Sequence, residues 1–294
     1  MTDTERNLSQ QSPASELQAQ ESPAPEVELA GAPAGAVRVD TAQIDGAQQA
    51  PQLALRWGAA TDVGRVRQHN EDSVWASPTL FAVADGMGGH AGGEVASALA
   101  IEELRRIAEL GPLTPQVLAD AIWQANDRLL AEAAVRRELL GMGTTLTGIA
   151  IVATEDGERW AVFNVGDSRV YRYADGALSQ LTVDHSAVQE LVQAGRLTPD
   201  EARRHPRRNV VTRSLGSDPA PVPDIWLFPP VPGDRFLACS DGLTGELADT
   251  DIATLLRDFE DPQTAADELV RCANEAGGND NVTTIVVDLR TAVG

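Results

Sequence analysis

The chain has 294 residues, 43% of them hydrophobic, enough for one large domain or two small ones. Its formal charge of −21 argues against nucleic acid as a partner, because the phosphates would repel it. All 23 basic residues are arginine, which excludes mechanisms built on a phosphate-binding, Schiff-base or kinase-type lysine.

Residues 1–50 are rich in Ala, Gln, Pro, Ser and Glu, and no aromatic residue precedes Trp57. Such a stretch buries too little apolar surface to offset its ordering entropy, so it reads as a disordered acidic tail before a globular region from 51 to 294. Its polar start shows no secretory signal, and no later run approaches the roughly 20 apolar residues of a membrane helix. Cys239 and Cys272 read as small buried hydrophobes in a reducing compartment. A soluble, cytoplasmic protein with no membrane partner is expected.

The first strand is expected at Leu53–Ala60. GRVRQHNEDS follows, with Arg67, Glu71 and Asp72; read alone, it is a surface loop with weak local ion pairs. Strands at Ser73–Ala76 and Leu80–Ala84 lead into Asp85 and a glycine-rich turn. A helix spans Glu94–Leu110 and stops at Gly111. The turn matches a loose dinucleotide fingerprint, Gly86-x-Gly88-x-x-Ala91. Against that, Asp85 would repel a pyrophosphate, and the acids about 20 positions on, Glu102 and Glu103, fall inside the helix. A second helix, Thr114–Glu138, follows with no strand between, Thr114 serving as its N-cap.

Strands resume at Thr144–Ala153 and Arg159–Val165, the latter running into Asp167. The stretch GDSR then reads as a hairpin turn before the strand Val170–Tyr173. Residues 181–223 resist a regular assignment: a helix is expected at Ala187–Ala194, and five arginines lie from Arg203 to Arg213. An insertion this long in a compact domain is often functional. Strands Ile225–Phe228 and Arg235–Cys239 come next, the second running through Ser240 into Asp241-Gly242. Helices Thr250–Phe259, capped by Thr250, and Thr264–Ala276, ended by Gly277, precede GGNDNVT with Asp280. The last strand is Val282–Asp288.

This order does not alternate as a doubly wound fold would; it suits an α+β arrangement of antiparallel sheets packed with helix pairs. Three apolar runs end in Asp85, Asp167 and Asp241, and Asp280 precedes a fourth. A carboxylate at the mouth of a buried strand is costly unless something compensates its charge. Several together suggest convergence on a cation, and hard oxygen ligands suit magnesium or manganese.

Taken in order, GxVRxxNEDS, ADGMGGHxxGExAS, GDSR, SDGL and GxxDNxT resemble the bacterial form of the metal-dependent serine/threonine protein phosphatases of type 2C, from about Trp57 to Leu289. The resemblance implies a four-layer α/β/β/α sandwich. It implies two Mn2+ or Mg2+ ions at one end, with Asp85 bridging them and Gly86 contributing its carbonyl. Asp241 and Asp280 would complete the first metal's ligands, and Glu71 would hold metal-bound water. Asp167 would belong, with Asp241, to a third, weaker metal, and Arg67 would bind substrate phosphate. The catalytic set is then Arg67, Asp85 and Asp241, with a metal-activated water attacking phosphorus in line and no protein nucleophile. Met87 stands where many relatives have a proton-donating His, which leaves the general acid among a metal-bound water, His185 and His90. Residues 181–223 correspond to a flap beside the active site. The expected partners are phosphorylated proteins, a serine/threonine kinase and its substrates, met by a monomer. Two other readings stay open: a non-catalytic phosphoprotein-binding relative, and a dinucleotide-binding oxidoreductase.

Overall fold

Alternation along β4 (Leu80–Met87) decides the layering. Leu80, Ala82 and Ala84 point one way, into a cluster with the first helix pair, whereas Phe81 and Val83 point the other, into the space between two sheets. The same split recurs on β11 (Arg235–Cys239), where Leu237 and Cys239 face the second helix pair and Phe236 and Ala238 face the inter-sheet core. A strand buried on both faces reads as a continuous apolar run, which is why these runs stand out in the sequence. The structure is a computed structural model that describes residues 38–41, 53–88 and 92–291.

One sheet has the order β1 (Arg38–Thr41), β10 (Asp224–Phe228), β7 (Gly157–Val165), β6 (Leu146–Thr154), β4 and β3 (Asp72–Ala76), with β5 (Gly143–Thr144) added to β4. The other has the order β2 (Leu53–Asp62), β12 (Val282–Thr291), β11, β8 (Arg169–Ala174) and β9 (Ala177–Gln180). Every pairing is antiparallel except β1 with β10. Helices α1 (Gly92–Leu110) and α2 (Pro115–Val135) cover the first sheet, and α6 (Asp249–Asp258) and α7 (Pro262–Ala276) the second. The α+β four-layer sandwich expected from the sequence is the observed fold. It also removes the dinucleotide reading, since both neighbours of β4 in the main sheet run antiparallel to it and no βαβ unit frames the glycine-rich turn.

The tail reading of residues 1–50 lies outside the described residues except at Arg38–Thr41, which form an edge strand; RVDT carries two β-branched residues, and the free edge of β10 offers backbone partners. Two other expectations are corrected. Thr250 is not a cap: α6 starts one residue earlier, after Ala248, and α7 is capped by Asp261, whose side chain accepts from the Thr264 N–H. GDSR is not a hairpin, because β7 and β8 belong to different sheets, so this turn carries the chain across the sandwich.

Within residues 181–223, two short helices form, α3 (Ala187–Gln193) and α4 (Pro199–Arg203). The segment's return is pinned to α2: Asn126 Oδ1 accepts from the N–H groups of Gly216 (2.8 Å) and Ser217 (3.1 Å), and Trp123 Nε1 donates to the Pro221 carbonyl (3.1 Å).

Candidate active site

The register of β3 on β4 places Asp72 directly opposite Asp85. Both stand at one end of the sandwich, where β7 ends at the Asp167 turn, β11 ends at Asp241 and β12 begins after Asp280. Asp241 opens the one-turn helix α5 (Asp241–Thr244). All four strand-end aspartates named from the sequence therefore reach this end, together with Glu71 and Arg67 from the loop between β2 and β3.

Backbone bonds hold each carboxylate's position. The Asp85 N–H donates to Thr145 Oγ1 (3.0 Å), and its carbonyl accepts from the Thr145 N–H (2.9 Å) and Thr144 Oγ1 (2.9 Å). Thr145 Oγ1 also lies 2.8 Å from Ser168 Oγ, which ties Asp85's anchor to the residue after Asp167. Gly86 must be glycine, because a Cβ there would lie 2.1 Å from the Gly93 carbonyl and 2.5 Å from that of Glu71. Asn281 secures the loop that carries Arg67 and Glu71: its Nδ2 donates to the carbonyls of Val63 and His69 (2.9 Å each), and its Oδ1 accepts from the Glu71 N–H (2.8 Å).

The Asp167 turn has its own clamp. Gly166 adopts φ +116°, where a side chain would collide with Thr145, and its N–H donates to His185 Nδ1 (3.0 Å). Because Nδ1 accepts, the ring proton is on Nε2, which donates to Asp224 Oδ2 (3.0 Å). Burial opposes the charge on Asp224, but His185 and Arg213 outweigh it and hold the carboxyl below its usual range. With both ring nitrogens engaged and the ring buried, His185 has no proton to offer a substrate. Of the other proton donors considered, His90 lies outside the described residues.

Electrostatically the site is short of positive charge. Burial, followed by Asp72, Asp241, Asp167 and Asp280, pushes the Asp85 carboxyl well above the ordinary range. Burial and then Asp241 raise Asp167 to about 8. Asp72 is pushed up to about 7 by burial, against hydrogen bonds from Thr283 and Ser240. Burial and then Asp280 raise Asp241. Glu71 is raised by burial, against the pull of Arg67. Among the described residues, the one arginine paired within the cluster is Arg67, whose Nη2 donates to Asp280 Oδ2 (2.6 Å). Burial works against its charge, but Asp280, Glu71 and Asp85 hold it protonated. Arg169 is committed elsewhere, forking onto Asp184 (2.7–3.1 Å) and reaching the Tyr171 hydroxyl.

Among the described residues, no three His, Cys, Asp or Glu side chains surround a common point in ligand geometry. The carboxylates face one another, and one oxygen of Asp72 is buried without a partner. The donor set is nonetheless what a hard divalent cation takes: carboxylate oxygens close enough to raise one another, with no soft ligand among them. Sequence reading names Asp72 without giving it a place in the cluster, and it does not find the supports Thr145, Ser168 and Asn281. The register of β3 on β4 is what reveals Asp72.

A cleft of about 250 Å3 opens from Asp167 and Asp241 towards α3, α4 and Arg208. It sets residues 181–223 directly beside the cluster.

The sequence pattern of the family described as Protein phosphatase 2C matches residues 64–286. The serine/threonine protein phosphatase PstP of Mycobacterium tuberculosis (strain H37Rv) is 42% identical over 241 residues, covering 81% of this chain. The chain spans only 45% of that relative's length. The serine/threonine phosphatase Stp of Listeria monocytogenes is 36% identical over 78% of this chain and 93% of its own. A crystal structure of the catalytic domain of PstP in complex with two manganese ions superposes with a TM-score of 0.75 at 39% identity, over 81% of this chain and all of that one. With the fold, the motif order and these likenesses in agreement, the chain belongs to the protein phosphatase 2C family.

Proposed function

We propose that this chain is a metal-dependent phosphatase of phosphoserine and phosphothreonine in proteins, opposing bacterial serine/threonine kinases as a cytoplasmic monomer. The observation that carries the reading is the gathering of Asp85, Asp167, Asp241 and Asp280 at one end of the sandwich, where burial and neighbouring carboxylates raise the first three and, among the described residues, Arg67 is the arginine paired into the group. Asp85, Asp241, Asp280 and the Gly86 carbonyl would hold two Mn2+ or Mg2+ ions, Glu71 would act through water, and Asp167 would serve a weaker third. Such ions supply charge that polarises an attacking water and offsets charge on the phosphoryl oxygens.

The chain's own groups do the rest. Thr144 and Thr145 fix the backbone of Asp85 before substrate arrives, which anchors the strand end that carries its carboxylate. Arg67 offers a planar fork suited to phosphate and sits on a loop held by Asn281. Its bond to Asp280 keeps it at the cluster until an anion competes for it. Met87 donates no proton, and His185 has none free, so the leaving oxygen takes its proton from elsewhere. Among the described residues no helix is long and apolar enough to cross a membrane.

The experiment is phosphate release from phosphoserine- and phosphothreonine-bearing proteins with and without added manganese. Manganese-dependent release is expected. Phosphopeptide binding without release under excess manganese would instead favour the non-catalytic reading.

A further inference from the structure

We propose that the flap arginines Arg204, Arg207 and Arg208 form a docking strip for acidic residues flanking the phosphorylated side chain; this rests on the phosphatase reading above. Most arginines of the described residues already have a carboxylate partner: Arg213 has Asp224, Arg169 has Asp184, and Arg235 has Asp288. Arg204, Arg207 and Arg208 are exposed, and no ion pair joins them to any described carboxylate. Three guanidinium groups within five residues with no ion-pair partner among the described residues stand out in a chain of charge −21.

Their place gives the cluster a use. Arg208 lines the cleft that opens from Asp167 and Asp241, and Arg203 lines the same cleft. Arg203 is occupied: its Nη2 donates to the Leu247 carbonyl (3.1 Å), and Nη1 lies 3.9 Å from Asp249. It ties α4 to the segment after α5 and leaves its three neighbours facing solvent. A phosphorylated segment approaching this protein meets an overall repulsive field. A strip of permanently charged guanidiniums that reaches the cleft at Arg208 attracts it locally and pairs with carboxylates on the flank of the phosphoresidue. Exposed pairs are weak, so each is worth about two- to fivefold in kcat/KM and is screened by salt.

The test compares the full chain with manganese on phosphothreonine peptides whose flanks are acidic, neutral or basic, using p-nitrophenyl phosphate as a substrate with no flank. Acidic flanks should raise kcat/KM, mainly through KM, by about tenfold over neutral ones, and the advantage should shrink as salt is added. In R204A/R207A/R208A the advantage should vanish while p-nitrophenyl phosphate turnover stays unchanged, which also shows the site is folded. R207E/R208E should reverse the preference towards basic flanks. If the wild-type chain hydrolyses p-nitrophenyl phosphate but treats acidic and neutral peptides alike, or the triple variant keeps the preference, the docking strip is wrong and the phosphatase reading stands. If no phosphate ester of any kind is hydrolysed, the phosphatase reading falls and the strip with it.

Discussion

Strands β11 and β12 carry charged groups at both of their ends, with opposite consequences. At one end Asp241 follows β11 and Asp280 precedes β12, among Asp72, Asp85 and Asp167, with Arg67 as the paired cation. At the other end Arg235 opens β11 opposite Asp288 on β12. There Arg235 forks onto Asp288 (2.6 and 2.9 Å) and donates to the carbonyls of Leu256, Phe259 and Glu260, so one guanidinium both balances a carboxylate and closes the end of α6. Arg172 on Asp234 and Arg290 on Asp288 add to the balance. The fold thus knows how to neutralise a buried acid with its own side chains. Where it leaves several unneutralised, a ligand from outside is the natural complement.

The contrast breaks if the acidic end proves structural. Asp85→Asn and Asp241→Asn should each lower manganese-dependent kcat/KM by on the order of a thousandfold, the scale of losing a charge that acts on the transition state. Each should leave the metal-free thermal midpoint equal or higher, since one of several mutually repelling carboxylates is gone. A cooperative but much lower melting transition in either variant would mean the carboxylates hold the fold together.

At the opposite end the outcome inverts. Arg235→Ala leaves the buried Asp288 with only its longer contact to the exposed Arg290 and should cost about 3 kcal/mol in urea denaturation, the lower end of the range for breaking a buried pair. Turnover per folded molecule should stay at the wild-type level. A catalytic loss without a stability loss would show that the two ends are coupled.

Raised carboxyls also give the acidic end a pH signature. Asp72, near 7, and Asp167, near 8, keep protons in the metal-free fold that the unfolded chain, with an aspartate pKa of about 3.9, has already released. Their contribution to stability is therefore complete below about pH 4 and is lost as pH climbs through 7 and 8. Manganese takes the place of those protons. The rise in melting temperature on adding manganese should accordingly grow from pH 6 to pH 8.5, at about 2–4 °C for each kcal/mol gained. A manganese shift that is flat with pH would mean that no proton is displaced on binding.

Much of this site can be read along the chain, and the reason is local. Asp85, Asp241 and Asp280 each abut an apolar run buried on both faces, so their cost is visible in a few residues of sequence. Asp167 is visible on the same grounds, yet GDSR contains nothing to say whether the next strand pairs back or crosses to the other sheet; that depends on β8 finding β11. Asp72 joins the cluster only through its register with Asp85, and Asn281 through bonds to residues more than 200 positions away. Helix α4 had a legible start, a capping box of Thr198 with Glu201, but spans only Pro199–Arg203 and has too little periodicity to announce itself.

His185 gives the smallest effect and the finest discrimination. It touches neither substrate nor any proposed metal ligand; it acts on Asp167 through the Gly166 N–H. His185→Ala leaves that N–H unsatisfied in a turn already held at positive φ, so Asp167 should wander. The manganese concentration for half-maximal activity should rise by about tenfold, the lower part of the range for groups that orient metal ligands, with kcat at saturating manganese little changed. His185→Asn can place an amide oxygen where Nδ1 stood and should recover part of the loss. A group serving as the general acid behaves otherwise: both variants would lose kcat equally at any manganese concentration, and Asn would rescue nothing. The split between manganese dependence and kcat therefore separates a residue that positions the acidic end from one that reacts in it.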